Sequence, residues 1–319
     1  MAKRRKLLFR KLRRPLEWFG ILTAQAVIPR LSFKAAVGLA DFISALTPVF
    51  DRRGEKISRA NLRLMFGARM TPKRERAIVR RSYRLMLRTV LNLFWILRDT
   101  RERILAQVEY APGALERLRN NRPAILVSGH LGNWELVAQG GVANGIPILC
   151  VAKQVGSEAM SALLTQQRAL IGQEIVPVEG AVRPLLHALK SGKDVGLIID
   201  QHMDPNKGGI TCTFFDRTVC VSMAPAMLSR KLGLPILFVW ARPIKNARYR
   251  IECSDVFPAD PTISDPVRTQ QLSDAIERVV RRHPSFWSLT YRRWRQIGPT
   301  DDPARYPYYA RHVSPDSGS

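Results

Sequence analysis

The segment Ser128–Glu135, with the sequence SGHLGNWE, holds the residues best suited to acid–base chemistry. It follows an apolar run, and its two glycines permit a tight turn and a close approach of the backbone. His130 then lies in a strand-to-helix turn, Asn133 can cap the new helix, and Glu135 falls in the first helical turn. A carboxylate beside the imidazole would fix its tautomer, so that His130 could take a proton from an attacking hydroxyl. The alternative is a histidine satisfied by backbone groups near a helix start.

Three further polar residues stand near the ends of predicted elements and suit an anionic substrate. Arg168 offers a planar fork that matches phosphate or carboxylate, although a surface helix also accommodates such an arginine. Lys153 follows a strand end, where a lysine either contacts an anionic substrate or is solvated. Asp200 ends an apolar strand, so it either positions a catalytic group or caps the following turn. We therefore take Arg168, Lys153 and Asp200 as candidate substrate-binding residues.

These residues lie where short β-rich runs alternate with helical patterns. The strands are predicted at 123–128, 146–151, 174–178, 195–200, 211–215, 236–241 and 249–253, and the helices at 133–145, 157–171, 181–191, 222–232 and 266–282. This alternation indicates an α/β domain over 106–299, with a layered, largely parallel sheet flanked by helices. Ligands of such sheets gather beyond the carboxyl ends of the strands. Residues 300–319 are aperiodic and are predicted to form a flexible tail.

The N-terminus is basic and then apolar. Residues 1–14 contain eight Lys or Arg and no acid, and the charge-free run 18–28 that follows has eleven residues. A membrane-spanning helix needs about 20 apolar residues, so residues 1–50 are predicted to lie on or dip into a bilayer. A signal peptide and a solvated basic tail are the alternatives.

Residues 51–105 are predicted to be a basic helical region. Ten basic residues face three acidic ones between Thr71 and Leu105, and apolar residues recur there at close to helical spacing. An amphipathic basic helix can coat nucleic acid, rest on phospholipid, or present a solvated face over a packed stripe. Nucleic acid is the less favoured partner, because no DNA- or RNA-binding motif accompanies the charge.

The composition points to an anionic partner in a reducing compartment. The 319 residues include 51 Lys or Arg and 26 Asp or Glu, which gives a formal charge of +25. The four cysteines contain no CxxC pair, so they predict neither a disulfide framework nor a metal site. Hydrophobic residues make up 46% of the chain, enough for a sizeable core.

The pattern HxxxxE after an apolar strand resembles the lysophospholipid acyltransferase superfamily, and GHLGNWE is similar to its lipid A late acyltransferase branch. Further segments resemble that branch in order and spacing: Gln167-Arg168, Asp200-Gln201, Phe214–Arg217, Leu232–Pro235 and Arg292–Trp294. The resemblance implies a glycerol-phosphate-acyltransferase-like fold. It also implies transfer of a fatty acyl chain from acyl carrier protein, or acyl-CoA, to a hydroxyl of a membrane glycolipid such as a lipid A precursor.

In this resemblance His130 is the general base and Glu135 its partner, while Arg168 and Asp200 match other motif positions. The acyl donor is then a co-substrate, and no metal or other cofactor is implied. The chain is expected on the cytoplasmic face of a bacterial inner membrane. Acylation of a phosphatidylinositol mannoside or a lysophospholipid, and a non-catalytic role in membrane or nucleic-acid binding, are the alternatives. An ester hydrolase is disfavoured because the chain has no GxSxG elbow.

Overall fold

A computed structural model describes residues 15, 17–153, 157–298 and 301–312. Its strands are β1 (Val108–Tyr110), β2 (Ile125–Ser128), β3 (Ile148–Val151), β4 (Glu174–Val176), β5 (Asp194–Ile198), β6 (Gly209–Thr213), β7 (Thr218–Ser222), β8 (Ile236–Pro243), β9 (Tyr249–Phe257), β10 (Gln296–Ile297) and β11 (Arg311–His312). The helices are α1 (17–27), α2 (Phe33–Phe50), α3 (Arg52–Phe66), α4 (Pro72–Trp95), α5 (Thr100–Gln107), α6 (Ala114–Asn120), α7 (Glu135–Ala143), α8 (Glu158–Leu170), α9 (Val182–Lys190), α10 (Ala224–Leu232) and α11 (Asp265–Arg282).

Seven strands form the main sheet, in the order β1, β9, β8, β2, β5, β3, β4. The five strands from β8 to β4 run parallel, whereas β9 is antiparallel to β8 and carries β1 parallel to itself. Strands β6 and β7 form an antiparallel hairpin, and β10 pairs with β11. The prediction of an α/β fold with a largely parallel sheet is confirmed.

The central strands are apolar because helices cover both faces of the sheet. Alternate residues of β2 point to opposite faces: Ile125 and Val127 belong to one hydrophobic cluster, and Leu126 belongs to the other. The five helices predicted after residue 106 match α7 to α11 within about two residues at most ends, as helix-boundary scatter allows. Four short strands, β1, β7, β10 and β11, were not predicted.

Helix α4 is amphipathic, and its apolar stripe packs into the core. Val79 and Tyr83 join the same cluster as Ile125, while Phe94 joins the cluster on the other face. The buried carboxylate of Glu75 accepts hydrogen bonds from Arg59 at 2.6 Å and Arg63 at 2.9 Å, which fixes α3 against α4. The helical spacing of the apolar residues therefore corresponds to a packed face of α4. The basic side chains of α4 lie mostly on the opposite, exposed face.

Helices α1 and α2 expose large apolar side chains. The exposed fraction reaches 68% for Phe19, 65% for Phe42 and 82% for Phe50. Among the described residues, no single helix is long and apolar enough to cross a membrane, and one pair bent by 84°, Phe33–Thr47 with Arg52–Arg69, meets the length and composition test together. Of the predicted membrane-associating segment 1–50, residues 1–14 and residue 16 lie outside the described residues.

The described part of the segment after residue 300 is packed, whereas the sequence predicted a loose tail. Tyr309 is buried, and its hydroxyl donates a hydrogen bond to Asn61 at 2.5 Å. Strand β11 pairs with β10, and the Tyr306 hydroxyl accepts a hydrogen bond from the amide of Thr218 at 3.0 Å. Aromatic anchors thus hold this segment on the domain despite its aperiodic sequence.

Candidate active site

His130 lies in the loop that leaves the carboxyl end of β2, between two neighbouring segments of chain. Its carbonyl accepts a hydrogen bond from the amide of Ser288 at 3.1 Å, and the amide of Gly132 donates to the carbonyl of Phe286 at 2.7 Å. Asn133 was predicted to cap α7, but the N-cap residue is Trp134, whose side chain makes no capping hydrogen bond. Asn133, one residue earlier, accepts a long hydrogen bond of 3.4 Å from the amide of Leu136. The imidazole therefore stands on a fixed backbone, and its side chain is 21% exposed.

Asp200 is the hydrogen-bond partner of Nδ1 in the His130 ring, and Gln201 Nε2 lies 3.3 Å from Nε2. Strand β5 lies beside β2, so Asp200, two residues after β5, meets the loop that follows β2. The distance between His130 Nδ1 and Asp200 Oδ1 is 2.6 Å, and the other carboxylate oxygen accepts from the His130 amide and from Trp287 Nε1, both at 2.8 Å. Because an ionised carboxylate only accepts, Nδ1 carries the proton and Nε2 keeps its lone pair.

The contact between His130 and Asp200 also shifts the pKa of both side chains. Burial by itself lowers the pKa of His130, but the charge of Asp200, its hydrogen bond and the charge of Glu135 raise the pKa above the ordinary value. Burial raises the pKa of Asp200, and the His130 interactions with the Trp287 hydrogen bond outweigh it, so the carboxyl pKa is lowered. Asp200 is therefore a carboxylate at neutral pH, and His130 is poised to gain and lose a proton.

Glu135 occupies a different place from the one the sequence predicted. It was expected to contact His130, but its carboxylate binds the guanidinium of Arg168, with Nη2 at 2.9 Å and 3.2 Å from the two oxygens and Nε at 3.3 Å from one of them. Both side chains are 12% exposed. Glu135 opens α7 and Arg168 lies in the last turn of α8, so the helices face each other there. Glu135 thus acts on His130 through its charge, while Asp200 holds the ring.

A small apolar slot of about 70 Å³ adjoins the Glu135–Arg168 pair. Its walls include Leu126, Ile148, Ile175 and Val239, with the thiol of Cys150 among them. Burial raises the pKa of Cys150 to about 11, so this thiol is neutral. The slot thus joins an apolar interior to a buried ion pair.

Lys153 and Asp200, both predicted to bind substrate, have different surroundings. Lys153 is exposed just beyond β3, at the same edge of the sheet as His130 but without a place in the His130–Asp200 pair. Asp200 was predicted as substrate-binding, and the structure places it on His130. Trp287 was missed as a partner of Asp200, because no local pattern links an indole to a carboxylate 87 positions away.

Gly132 has a conformation and a position that only glycine fits. Its φ is +59°, and a Cβ there would collide with the carbonyl oxygen of Ala241 on β8. We expect Gly132→Ala to lower the free energy of unfolding by about 3 kcal/mol, from left-handed strain and overpacking together. Gly145 has φ +80° with no atom within 4 Å of the position that a Cβ would take, so Gly145→Ala is the matched control for strain alone.

Urea unfolding of the two variants separates these contributions. The expected loss for Gly145→Ala is about 1–2 kcal/mol. Equal losses in the two variants would show that the contact with β8 does not fix the loop that carries His130.

Comparisons with known proteins agree with this architecture. The family model for bacterial lipid A biosynthesis acyltransferase matches residues 2–296. The lipid A biosynthesis palmitoleoyltransferase of Escherichia coli K12 is 26% identical over 289 residues, which cover 88% of this chain and 91% of the relative. The phosphatidylinositol mannoside acyltransferase of Mycolicibacterium smegmatis is 25% identical over 181 residues, 54% of this chain and 57% of the relative.

The family model and the names of the relatives define an acyltransferase, and its α/β fold brings an imidazole and a carboxylate together at adjoining strand ends. This chain belongs to the bacterial lipid A biosynthesis acyltransferase family.

Proposed function

We propose that the chain transfers a fatty acyl group from an acyl carrier protein thioester, or a CoA thioester, to a hydroxyl of a membrane glycolipid. The observation that carries the proposal is the His130–Asp200 pair, whose Nδ1–Oδ1 distance is 2.6 Å. The family of the chain and the names of its relatives support a glycolipid acceptor, with a lipid A precursor as the first candidate.

In the proposed reaction His130 Nε2 takes the proton of the acceptor hydroxyl while that oxygen attacks the thioester carbonyl. The new C–O ester bond forms, the C–S bond breaks, and the thiolate leaves. The imidazolium then returns its proton to the sulfur, so atoms and charge balance. Asp200 holds Nδ1–H throughout and stabilises the imidazolium. The reaction requires no cofactor besides the thioester.

The ion pair beside the slot has a substrate role in this proposal. Arg168 lines the apolar slot, where its guanidinium can receive the polar end of the acyl donor while the first carbons of the chain enter the slot. Glu135 orients that guanidinium and adds negative charge near the imidazole. Lys153, exposed at the same edge of the sheet, contributes positive charge for the anionic substrate.

The proposed location is the cytoplasmic face of the bacterial inner membrane. The exposed apolar side chains of α1 and α2 suit the interfacial region of a bilayer, and the charge of +25 suits anionic lipid and an acidic carrier protein. Each basic residue near an anionic leaflet adds about 1 kcal/mol of attraction.

Removing two apolar side chains from α2 is expected to weaken membrane binding. Phe42 and Val49 are 65% and 63% exposed, and we expect Phe42→Ser with Val49→Ser to lower the partition into anionic vesicles by at least about tenfold. Vesicle flotation measures this. Val182 and Val267 are 45% and 52% exposed elsewhere, so serine at both positions is the control and is expected to leave flotation unchanged.

A second arm removes residues 1–14, which carry eight basic residues. We expect weaker, less salt-sensitive vesicle binding and unchanged chemistry on detergent-dispersed substrate. Unchanged flotation in both arms would contradict the membrane role of this end of the chain.

Mass spectrometry of membrane lipids tests the proposed function directly. Cells lacking the protein, and cells that carry His130→Ala instead, are expected to accumulate a glycolipid lighter by one acyl chain. The wild-type protein restores the full mass, which names the acceptor and the chain length together. An unchanged lipid profile would contradict acyl transfer to a membrane lipid.

The mycobacterial relatives support a second acceptor class, the phosphatidylinositol mannosides. The same experiment separates the two, since the lighter species then carries inositol and mannose instead of a glucosamine disaccharide.

A further inference from the structure

A wide cleft rich in arginine lies where α2 ends and α3 begins. Its volume is about 780 Å³, and its walls come from the start of α3, the segment 290–296 and the segment 309–312. Four arginines line it: Arg53, Arg292, Arg295 and Arg311. The acid–base site above does not include this part of the fold.

The positive charge of the cleft is not neutralised by its own lining. Asp51 is the carboxylate among the lining residues, and it is engaged inside the protein, accepting from the amide of Gly54 at 2.8 Å and from the hydroxyl of Tyr83 at 2.9 Å. Within the described part of the chain, the side chains of Arg53 and Arg295 form no hydrogen bond or ion pair. Two guanidinium groups are therefore available to an anionic ligand.

Hydrogen bonds hold together the segments that line the cleft. Asn61 is fully buried, its amide donates to the carbonyls of Leu289 and Tyr291 at 2.9 Å, and its oxygen accepts from Tyr309. The pairing of β10 with β11 adds a hydrogen bond of 3.0 Å from the amide of Arg311 to the carbonyl of Arg295. One buried asparagine and one strand pair thus hold the arginine-bearing segments together.

Tyr291 connects the cleft to the acid–base site. Its hydroxyl accepts a hydrogen bond of 3.0 Å from the amide of His202, two residues after Asp200. Burial lowers the pKa of His202, and the charges of Arg295 and Arg293 lower it further, so the positive field of the cleft reaches this loop. A ligand in the cleft therefore lies next to the loop that positions His130.

The wall of the cleft at Asp51 and Arg53 follows directly in the chain from α2, which exposes large apolar side chains. That helix ends at Phe50, which is 82% exposed, and the next two positions after it, Asp51 and Arg52, lead directly to Arg53 in the cleft wall. An amphiphile with acyl chains against α2 would place its polar group among the arginines. Binding of a soluble carrier protein would not require the exposed apolar side chains of α2 beside the arginines.

We propose that this arginine cleft binds a phosphate group of the glycolipid acceptor and so brings the acceptor hydroxyl toward His130. The inference rests on the proposed function and adds the site at which a phosphate of the acceptor binds. Guanidinium forks match phosphate oxygens in pairs, and such charge-assisted hydrogen bonds are stronger than neutral ones.

Kinetics of the variant Arg53→Ala with Arg295→Ala test the proposal. With a phosphorylated glucosamine disaccharide lipid as acceptor, we expect the acceptor KM to rise by about 10-fold to 100-fold, as the loss of charged hydrogen bonds predicts. The donor KM and kcat are expected to stay within about twofold. The arginines are proposed to bind the acceptor equally well in the ground state and the transition state, so their loss raises only the acceptor KM. The same acceptor after phosphatase treatment is expected to show no difference between variant and wild type.

The control removes the same charge elsewhere. Arg183 and Arg282 are exposed on α9 and α11, and alanine at both positions is expected to leave the acceptor KM unchanged. A rise in the donor KM instead would place the carrier or CoA phosphate in the cleft and overturn the proposal. If the control variant raised the acceptor KM equally, the effect would come from the overall charge of the protein, and the proposal would be overturned as well.

A binding measurement separates this inference from the proposed function. The protein carrying His130→Ala, which does not turn over, is floated with phosphatidylcholine vesicles that contain the phosphorylated lipid or its dephosphorylated form. The cleft predicts a preference for the phosphorylated lipid that Arg53→Ala with Arg295→Ala abolishes, whether or not acyl transfer is ever detected. Equal flotation with both lipids would refute phosphate binding in the cleft, even if the protein is an active acyltransferase.

Discussion

Replacing Asp200 with asparagine is expected to lower kcat by about 10³-fold, the order of effect expected from losing the general base itself. The amide group introduced by Asp200→Asn would donate toward Nδ1 of His130, which would move the proton to Nε2 and remove the lone pair that accepts the hydroxyl proton. The indole of Trp287 and the His130 amide would still find an oxygen at this position. The fold is therefore expected to survive, and steady-state kinetics measure the loss.

The pH profile distinguishes this role from a structural one. The base works when neutral, so kcat/KM rises with pH through the pKa of His130. In the wild-type protein the charge of Asp200 raises that pKa against the opposing effect of burial. Asparagine removes the charge and leaves burial, so the acid limb of the residual activity is expected to move to lower pH. A uniform loss with an unmoved acid limb would contradict the assignment.

Trp287→Phe is the matched control for Asp200→Asn. It removes one hydrogen bond to the carboxylate and leaves the bond to His130 intact. A modest loss of activity is expected, well below that of Asp200→Asn, since a typical hydrogen bond contributes about 1 kcal/mol.

The sequence predicted much of the fold because its signals there are local. Apolar runs such as 123–128 and 195–200 are bounded by glycine or polar residues, and the buried parallel strands β2 and β5 require them. The placement of His130 followed from the same reasoning, since a Gly-rich turn after a strand puts a side chain at the ligand-binding edge. Three-residue β1 carries too little pattern to be recognised.

The hydrogen bonds of the site depend on the order of the strands in the sheet, which no local sequence pattern predicts. Asp200 reaches His130 only because β5 lies beside β2 in the sheet, and these residues are 70 positions apart. A pattern of five-residue spacing favoured Glu135 as the partner, whereas the packing of α7 against the end of α8 gives Glu135 to Arg168. The spacing in the sequence thus pointed to Glu135 as the partner of His130, whereas Asp200 is the carboxylate that is hydrogen-bonded to its ring.

Replacing Glu135 with alanine is expected to reduce both stability and turnover. The carboxylate and Arg168 are each 12% exposed, so the variant leaves a guanidinium in a mostly buried site without its partner. Breaking such a pair costs about 3–5 kcal/mol. Turnover is expected to fall by about 10²-fold, because the guanidinium leaves its place at the slot and His130 loses a nearby negative charge.

A double-mutant cycle with Arg168→Ala separates the two effects. Removing both partners takes away the unpaired charge, so the double variant is expected to recover at least about 1 kcal/mol relative to the sum of the single variants. Its turnover is expected to stay as low as that of either single variant, because both groups act as one unit on the substrate. Urea unfolding and steady-state kinetics provide the two readouts.

The pair Glu109–Arg250 on β1 and β9 is the matched control for this cycle. Its shortest N–O distance is 2.6 Å, but its side chains are 32% and 40% exposed. Solvent screens such a pair, so its removal is expected to change stability by no more than about 1 kcal/mol and to leave turnover unchanged. If the double variant at Glu135 and Arg168 turned over at the wild-type rate, the pair would be a packing feature of α7 and α8 and the proposed substrate role of Arg168 would fail.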